Sequence, residues 1–132
     1  MVLCWVPDGG HDGTRFQADG IGVEDDVLQR ELVTALLEES EMGVIQCESA
    51  EEALRVLEKT GGRVSMIFTD VSLTGKIDGV ELAHFATRCY PNIHVIVTSG
   101  LTLTKSLPEG VMFMPKPWLA LDVLREAERS LH

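Results

Sequence analysis

Two kinds of apolar pattern alternate along the chain. Short, nearly continuous runs read as strands covered on both faces, and longer stretches with apolar residues three and four apart read as helices. The clearest run is Val64 to Asp70, β-branched and aromatic, ending abruptly in a carboxylate. It predicts a buried central strand, with the polar stretch Val71 to Gly79 as a loop. Ile93 to Ser99 and Val111 to Lys116 predict two further strands, and Val44 to Cys47 a short one. Gly20 to Val23 predicts the weakest strand, because Gly20 and Gly22 offer no side chain to pack.

Helical spacing fills the gaps. Over Asp26 to Glu39, Leu28, Leu32, Ala35 and Leu36 are expected to face inward, with Asp26 as N-cap. Ser49-Ala-Glu-Glu52 is a capping-box pattern and starts a helix at Ala50. Ala50, Ala53, Leu54 and Leu57 form its apolar face, and Gly61-Gly62 ends it. Val80 to Tyr90 forms a helix with Leu82, Ala86 and Cys89 inward, broken by Pro91. Leu121, Leu124, Ala127 and Leu131 mark a closing helix. Strands alternating with helices at this spacing imply βαβ units, hence an α/β fold with a parallel sheet covered on both sides. One connection is poor. Gly100 to Gly110 is rich in Thr, Ser, Pro and Gly, and Leu101 to Leu107 allows at most about two helical turns.

Composition narrows the class. The 132 residues, 45% of them hydrophobic, suit one domain with a real core. That domain is expected over residues 20–132, preceded by an N-terminal extension, 1–19, that is partly mobile. Turn chemistry from Pro7 to Gly13 supports the mobility. The apolar Val2 to Val6 is expected to form a contact between subunits of a homodimer. A net charge of −10 argues against binding nucleic acid or an anionic membrane. No apolar run reaches membrane-spanning length, and no basic leader opens the chain. Cys47 and Cys89 read as buried thiols, so a cytoplasmic location is expected. His84 is expected on a helix surface, Asp78 as a turn or cap residue and Trp118 as a packing residue.

The polar residues at the strand ends carry the chemistry. In a parallel sheet Glu24, Asp25, Asp70, Ser99 and Lys116 all fall at one edge, where ligands bind. Crowded carboxylates repel, and a hard divalent cation such as Mg²⁺ relieves that. A hydroxyl and an ammonium beside it would hold phosphoryl oxygens. Metal, nucleophile and charge stabilisation for phosphoryl transfer to Asp70 are then in one place. The alternative nucleotide route is weak: Gly20 and Gly22 begin a G-x-G-x-x-G pattern whose third glycine is missing.

The motifs Val23-Glu-Asp-Asp26, Thr69-Asp70, Asp78-Gly79, Thr98-Ser-Gly100 and Lys116-Pro117 occur in this order and spacing. With them the chain, from about Gly20 to Leu131, resembles the receiver domains of two-component response regulators. The resemblance implies a flavodoxin-like fold: a doubly wound, five-stranded parallel sheet in the order 2-1-3-4-5. It makes Asp70 the phosphoacceptor and Glu24 and Asp25 the acidic pair that binds Mg²⁺, completed by the backbone carbonyl of Ser72. It makes Ser99 the switch hydroxyl, Lys116 the lysine that contacts the phosphoryl group and Phe113 the rotating aromatic. It also implies a cis Lys116–Pro117 bond. The departures are the glycines of the first strand, Thr74 where a proline is common, and a shortened or missing fourth helix. The function implied is that of a stand-alone signalling module, not an enzyme. It would take a phosphoryl group from a histidine kinase or histidine phosphotransfer protein and signal to a downstream protein partner. A pseudo-receiver that binds protein without being phosphorylated is the alternative; the weak first strand favours it and five intact site positions oppose it. An aspartate-nucleophile phosphatase would need a second acid where Ser72 stands.

Overall fold

Caps and stop signals in the sequence set the element boundaries. Asp26, Ser49 and Asp78 each accept a backbone N–H of the first helical turn, and Asp78 forms a full capping box with Glu81. The computed structural model describes residues 19–61 and 63–131. The elements are β1 (Gly20–Val23), α1 (Val27–Glu39), β2 (Val44–Cys47), α2 (Ala50–Thr60), β3 (Met66–Asp70), α3 (Gly79–Cys89), β4 (His94–Ser99), β5 (Met112–Pro115) and α4 (Ala120–Leu131). The strands form one parallel sheet in the order β2-β1-β3-β4-β5, as the resemblance implies. Val23 pairs with Thr69, Asp70 with Thr98, and Ser99 with Pro115, so the carboxyl ends of the strands are in register. The expected extension and subunit contact lie outside the described residues, apart from Asp19.

Each face of the sheet has its own core. Ile21, Val23, Ile67, Val95 and Val97 pack with Leu57 of α2 and Leu82 of α3. On the other face Met66, Phe68 and Ile96 pack with Leu37 of α1 and Val123 of α4.

One helix, α1, sits rotated from the expected orientation. On α1 the buried residues are Val33, Thr34 and Leu37, while Leu28 and Leu32 are 78% and 54% exposed. Two apolar stripes overlap on this helix. Arg30 selects between them by donating from Nη1 to the Glu24 carbonyl at 2.8 Å and from Nε to Gln46 at 3.2 Å. On α4 Val123 and Ala127 are buried and Leu121 is exposed. The buried Glu126 meets His94 Nε2 at 3.0 Å and Arg129 at 3.6 Å.

The glycines of β1 have a packing reason. A Cβ on Gly20 would lie 2.7 Å from the sulfur of the buried Met42, so Met42 supplies the volume a strand side chain would have filled. Between β4 and β5 there is no helix. The connection lies over α3 instead: Lys105 reaches Asp78 at 2.6 Å, and Ser106 O is 3.0 Å from His84 Nε2. Cys47 is a buried thiol whose pKa burial pushes up to about 12. Cys89 is disulfide-bonded, which corrects its reading as a thiol. Among the described residues no helix is long and apolar enough to cross a membrane.

Candidate functional site

The sheet edge brings four of the expected residues together. Glu24 follows β1, and its carboxylate accepts the Asp26 N–H at 3.1 Å, which folds it back over the start of α1. Asp25 is half-buried beside it. Asp70 ends β3 and is 8% exposed. Glu24, Asp25 and Asp70 each offer a carboxylate oxygen within 4.8 Å of the others. Lys116, just past β5, places Nζ 3.3 Å from Asp70 Oδ1 and 3.5 Å from Glu24 Oε1. The bond from Lys116 to Pro117 is cis.

The other expected residues stand around this cluster without joining it. Ser99 is buried, but its hydroxyl accepts the Leu101 N–H at 3.0 Å. Ser72 is exposed on the β3–α3 loop and borders, with Ser99 and Asp78, a hollow of about 180 Å³. Phe113 is half-buried on the α3 side of the sheet and borders another hollow with Ser99 and Lys116. His84 is exposed on α3, Asp78 caps it, and Trp118 packs edge-on against Phe68 with centroids 5.9 Å apart.

Three features were not legible in the sequence. Gln29 accepts from Lys116 Nζ at 2.8 Å across 87 residues, a separation no local pattern can report. Gly79 read as half of an Asp-Gly turn, yet its hydrogen is needed because a Cβ there would collide with the Asp70 carbonyl oxygen. Behind the acids lies a small chamber of about 10 Å³, lined by Gly22, Phe68, Thr98 and Trp118 among others. That is about one water-sized sphere. The buried Thr98 hydroxyl lines it without a protein partner.

Burial sets the electrostatics. It pushes the Asp70 carboxyl above its ordinary value, against the pull of Lys116 and the Val71 N–H, and the nearby Asp25 adds to the rise. Glu24 is raised for the same first reason, against the Asp26 N–H, with Asp70 adding to it. Three acids facing one ammonium leave net negative charge in a recess. Such a set of hard oxygen donors fits a divalent cation like Mg²⁺.

Comparison with known proteins agrees with this geometry. Residues 21–114 match the family model of the response regulator receiver domain. The chain is 31% identical over 106 residues to ARR21 of Arabidopsis thaliana, named as a candidate two-component response regulator; it spans 17% of that protein's length. A CheY-like receiver domain protein from Methanospirillum hungatei superposes with a TM-score of 0.76 at 22% identity, covering 87% of this chain and 94% of that one. The receiver domain of the hybrid histidine kinase CckA gives 0.73 at 27% identity, covering 86% and 98%. That of NtrX from Brucella abortus gives 0.72 at 24% identity, with the same coverage. With both the core of the sheet and most of the chain matched, this chain belongs to the response regulator receiver domains, the signalling modules of two-component systems.

Proposed function

We propose that the domain accepts a phosphoryl group on Asp70 and signals through the change that follows. The observation that carries this reading is the cluster itself: a nearly buried aspartate, two further acids within 4.8 Å and an ammonium at 3.3 Å. One Asp70 carboxylate oxygen attacks the phosphorus of a phosphohistidine on a kinase or phosphotransfer protein. An O–P bond forms, the P–N bond breaks, and the departing imidazole takes up a proton. Lys116 faces the charge that develops on the transferred oxygens. Glu24, Asp25 and Asp70, with the Ser72 carbonyl, would hold Mg²⁺. When bound, the ion supplies positive charge that offsets repulsion between the acids and the incoming phosphoryl group.

The surroundings support a protein donor and a protein recipient. Val27, Leu28 and Leu32 on α1 and Leu119 and Leu121 after β5 are exposed apolar residues, and Leu32 borders a hollow with Gln29 and Lys116. A patch of that kind suits a protein surface. Ser99 directly precedes the β4–β5 connection, so drawing its hydroxyl toward a phosphoryl oxygen would release the Leu101 N–H. Phe113 would then turn toward the space vacated. The test is intact-mass spectrometry after incubation with acetyl phosphate and Mg²⁺. One phosphate should be added to the wild type and none to Asp70→Asn. Equal uptake by the variant would overturn the assignment.

A further inference from the structure

The lysine at the centre of the site has a partner that none of the acids provides. Gln29 Oε1 accepts from Lys116 Nζ at 2.8 Å, the shortest of that ammonium's contacts. The carboxylate contacts, 3.3 Å to Asp70 and 3.5 Å to Glu24, are long for charge-assisted hydrogen bonds. Such bonds run to about 2.7–2.9 Å when nothing restrains them. The main chain at Gln29 is itself held in place. Its N–H donates to the Asp26 cap at 3.0 Å, and the next residue, Arg30, ties the same turn to the Glu24 carbonyl and to Gln46. The backbone at Gln29 is therefore fixed to the frame, and its side chain, at an exposed position, reaches the flexible lysine. Its amide is neutral, so it restrains a cation without adding a fourth charge to three acids.

We propose that Gln29 is a positioning residue that holds the Lys116 ammonium back from the acid cluster. The inference rests on the phosphoacceptor reading of Asp70. With the amide oxygen in place, Asp70 Oδ1 stays available to a metal ion and to an incoming phosphorus. Without it, the ammonium closes onto Asp70 or Glu24 and competes for the same oxygens. The same contact spans the wall between the inner chamber and an outer hollow of about 460 Å³, both of which Gln29 and Lys116 line. Loss of the contact therefore also frees the lysine to swing along that wall.

The test is Gln29→Met, which keeps the length of the side chain and removes the acceptor. Mg²⁺ binding is followed by titration of tryptophan fluorescence, and phosphate uptake by mass after acetyl phosphate. The apparent Mg²⁺ dissociation constant should rise about two- to tenfold, the range set by one lost hydrogen bond. Uptake should slow alongside. In a Lys116→Ala background the same substitution should change neither quantity, because the glutamine acts through the lysine. In the metal-free protein, Lys116→Ala should shift the Gln29 side-chain amide signals in a nitrogen–proton NMR spectrum. A Gln29→Met protein that matches wild type in both quantities overturns the inference. So does an effect of undiminished size in the Lys116→Ala background, which would mark a purely structural role. If the wild type takes up no phosphate, the phosphoacceptor reading fails. The Mg²⁺ titration and the NMR shift then still decide whether Gln29 restrains the lysine.

Discussion

At the scale of single residues, the site works against the fold that builds it. Burial raises the Asp70 and Glu24 carboxyls above their ordinary values. A carboxyl raised in the folded state contributes stability below its unfolded value, and that contribution is lost as pH rises through the folded value. Metal-free protein at pH 7 therefore carries two charges that disfavour folding. Asp70→Asn removes one of them. It is expected to raise the melting temperature in EDTA at pH 7, and the gain should vanish below about pH 4, where Asp70 is protonated in both states. Scanning calorimetry across that range checks the sign; a more stable wild type at pH 7 would contradict it. Glu126 and Gln29 show what sequence could not reveal at this scale. Each reads as an ordinary polar helix residue, and each acquires its partner only when remote strands and helices meet.

At the scale of elements, β1 explains itself through its neighbours. A Cβ on Gly20 meets the Met42 sulfur at 2.7 Å, whereas one on Gly22 meets Val44 and Val33 at the ordinary 3.7 and 4.0 Å. Gly20→Ala should therefore destabilise by about 1–3 kcal/mol through overpacking. Gly22→Ala should stabilise by about 0.5–1 kcal/mol, because alanine loses less chain freedom on folding. Urea unfolding of the two variants tests the pair, and the same sign for both would refute the packing argument. Strand positions were legible because a buried strand must be apolar on both faces, as in Met66 to Phe68 or Val95 to Val97. The acids at the strand ends were legible for the converse reason, since a carboxylate closing an apolar run stands out. Helix orientation was legible on α2 and α3, where Ala53, Leu57, Leu82 and Ala86 are buried, and not on α1. On α1 two apolar stripes coexist, and the choice falls to tertiary contacts such as Arg30 with Gln46. The leucines that lose that choice, Leu28 and Leu32, are the ones left facing outward.

At the scale of the whole molecule, the order of the strands gathers charged residues from distant segments at one edge. β3 ends in a residue of the charged cluster and β1 and β5 are each followed by one, and the sheet sets these strand ends at one edge. The edge strand that delivers Lys116 is also the one whose connection, Gly100 to Val111, contains no helix. This has a kinetic consequence. A crossover helix shortens the search for a parallel partner by ordering the chain between two strands; an irregular segment leaves the full loop-closure entropy to be met when the strands pair. β5 and α4 are therefore expected to dock after the rate-limiting barrier to folding. Met114→Ala in β5 should give a φ-value near zero, while Ile67→Val in β3 should give about 0.5–0.8, as measured by stopped-flow folding and unfolding rates. A high value at Met114 would place the edge inside the nucleus instead. On the expected order, the folding chain crosses its barrier with Glu24, Asp25 and Asp70 gathered and their countercharge still absent. The speed of refolding should then depend on dissolved cations as well as on the apolar core.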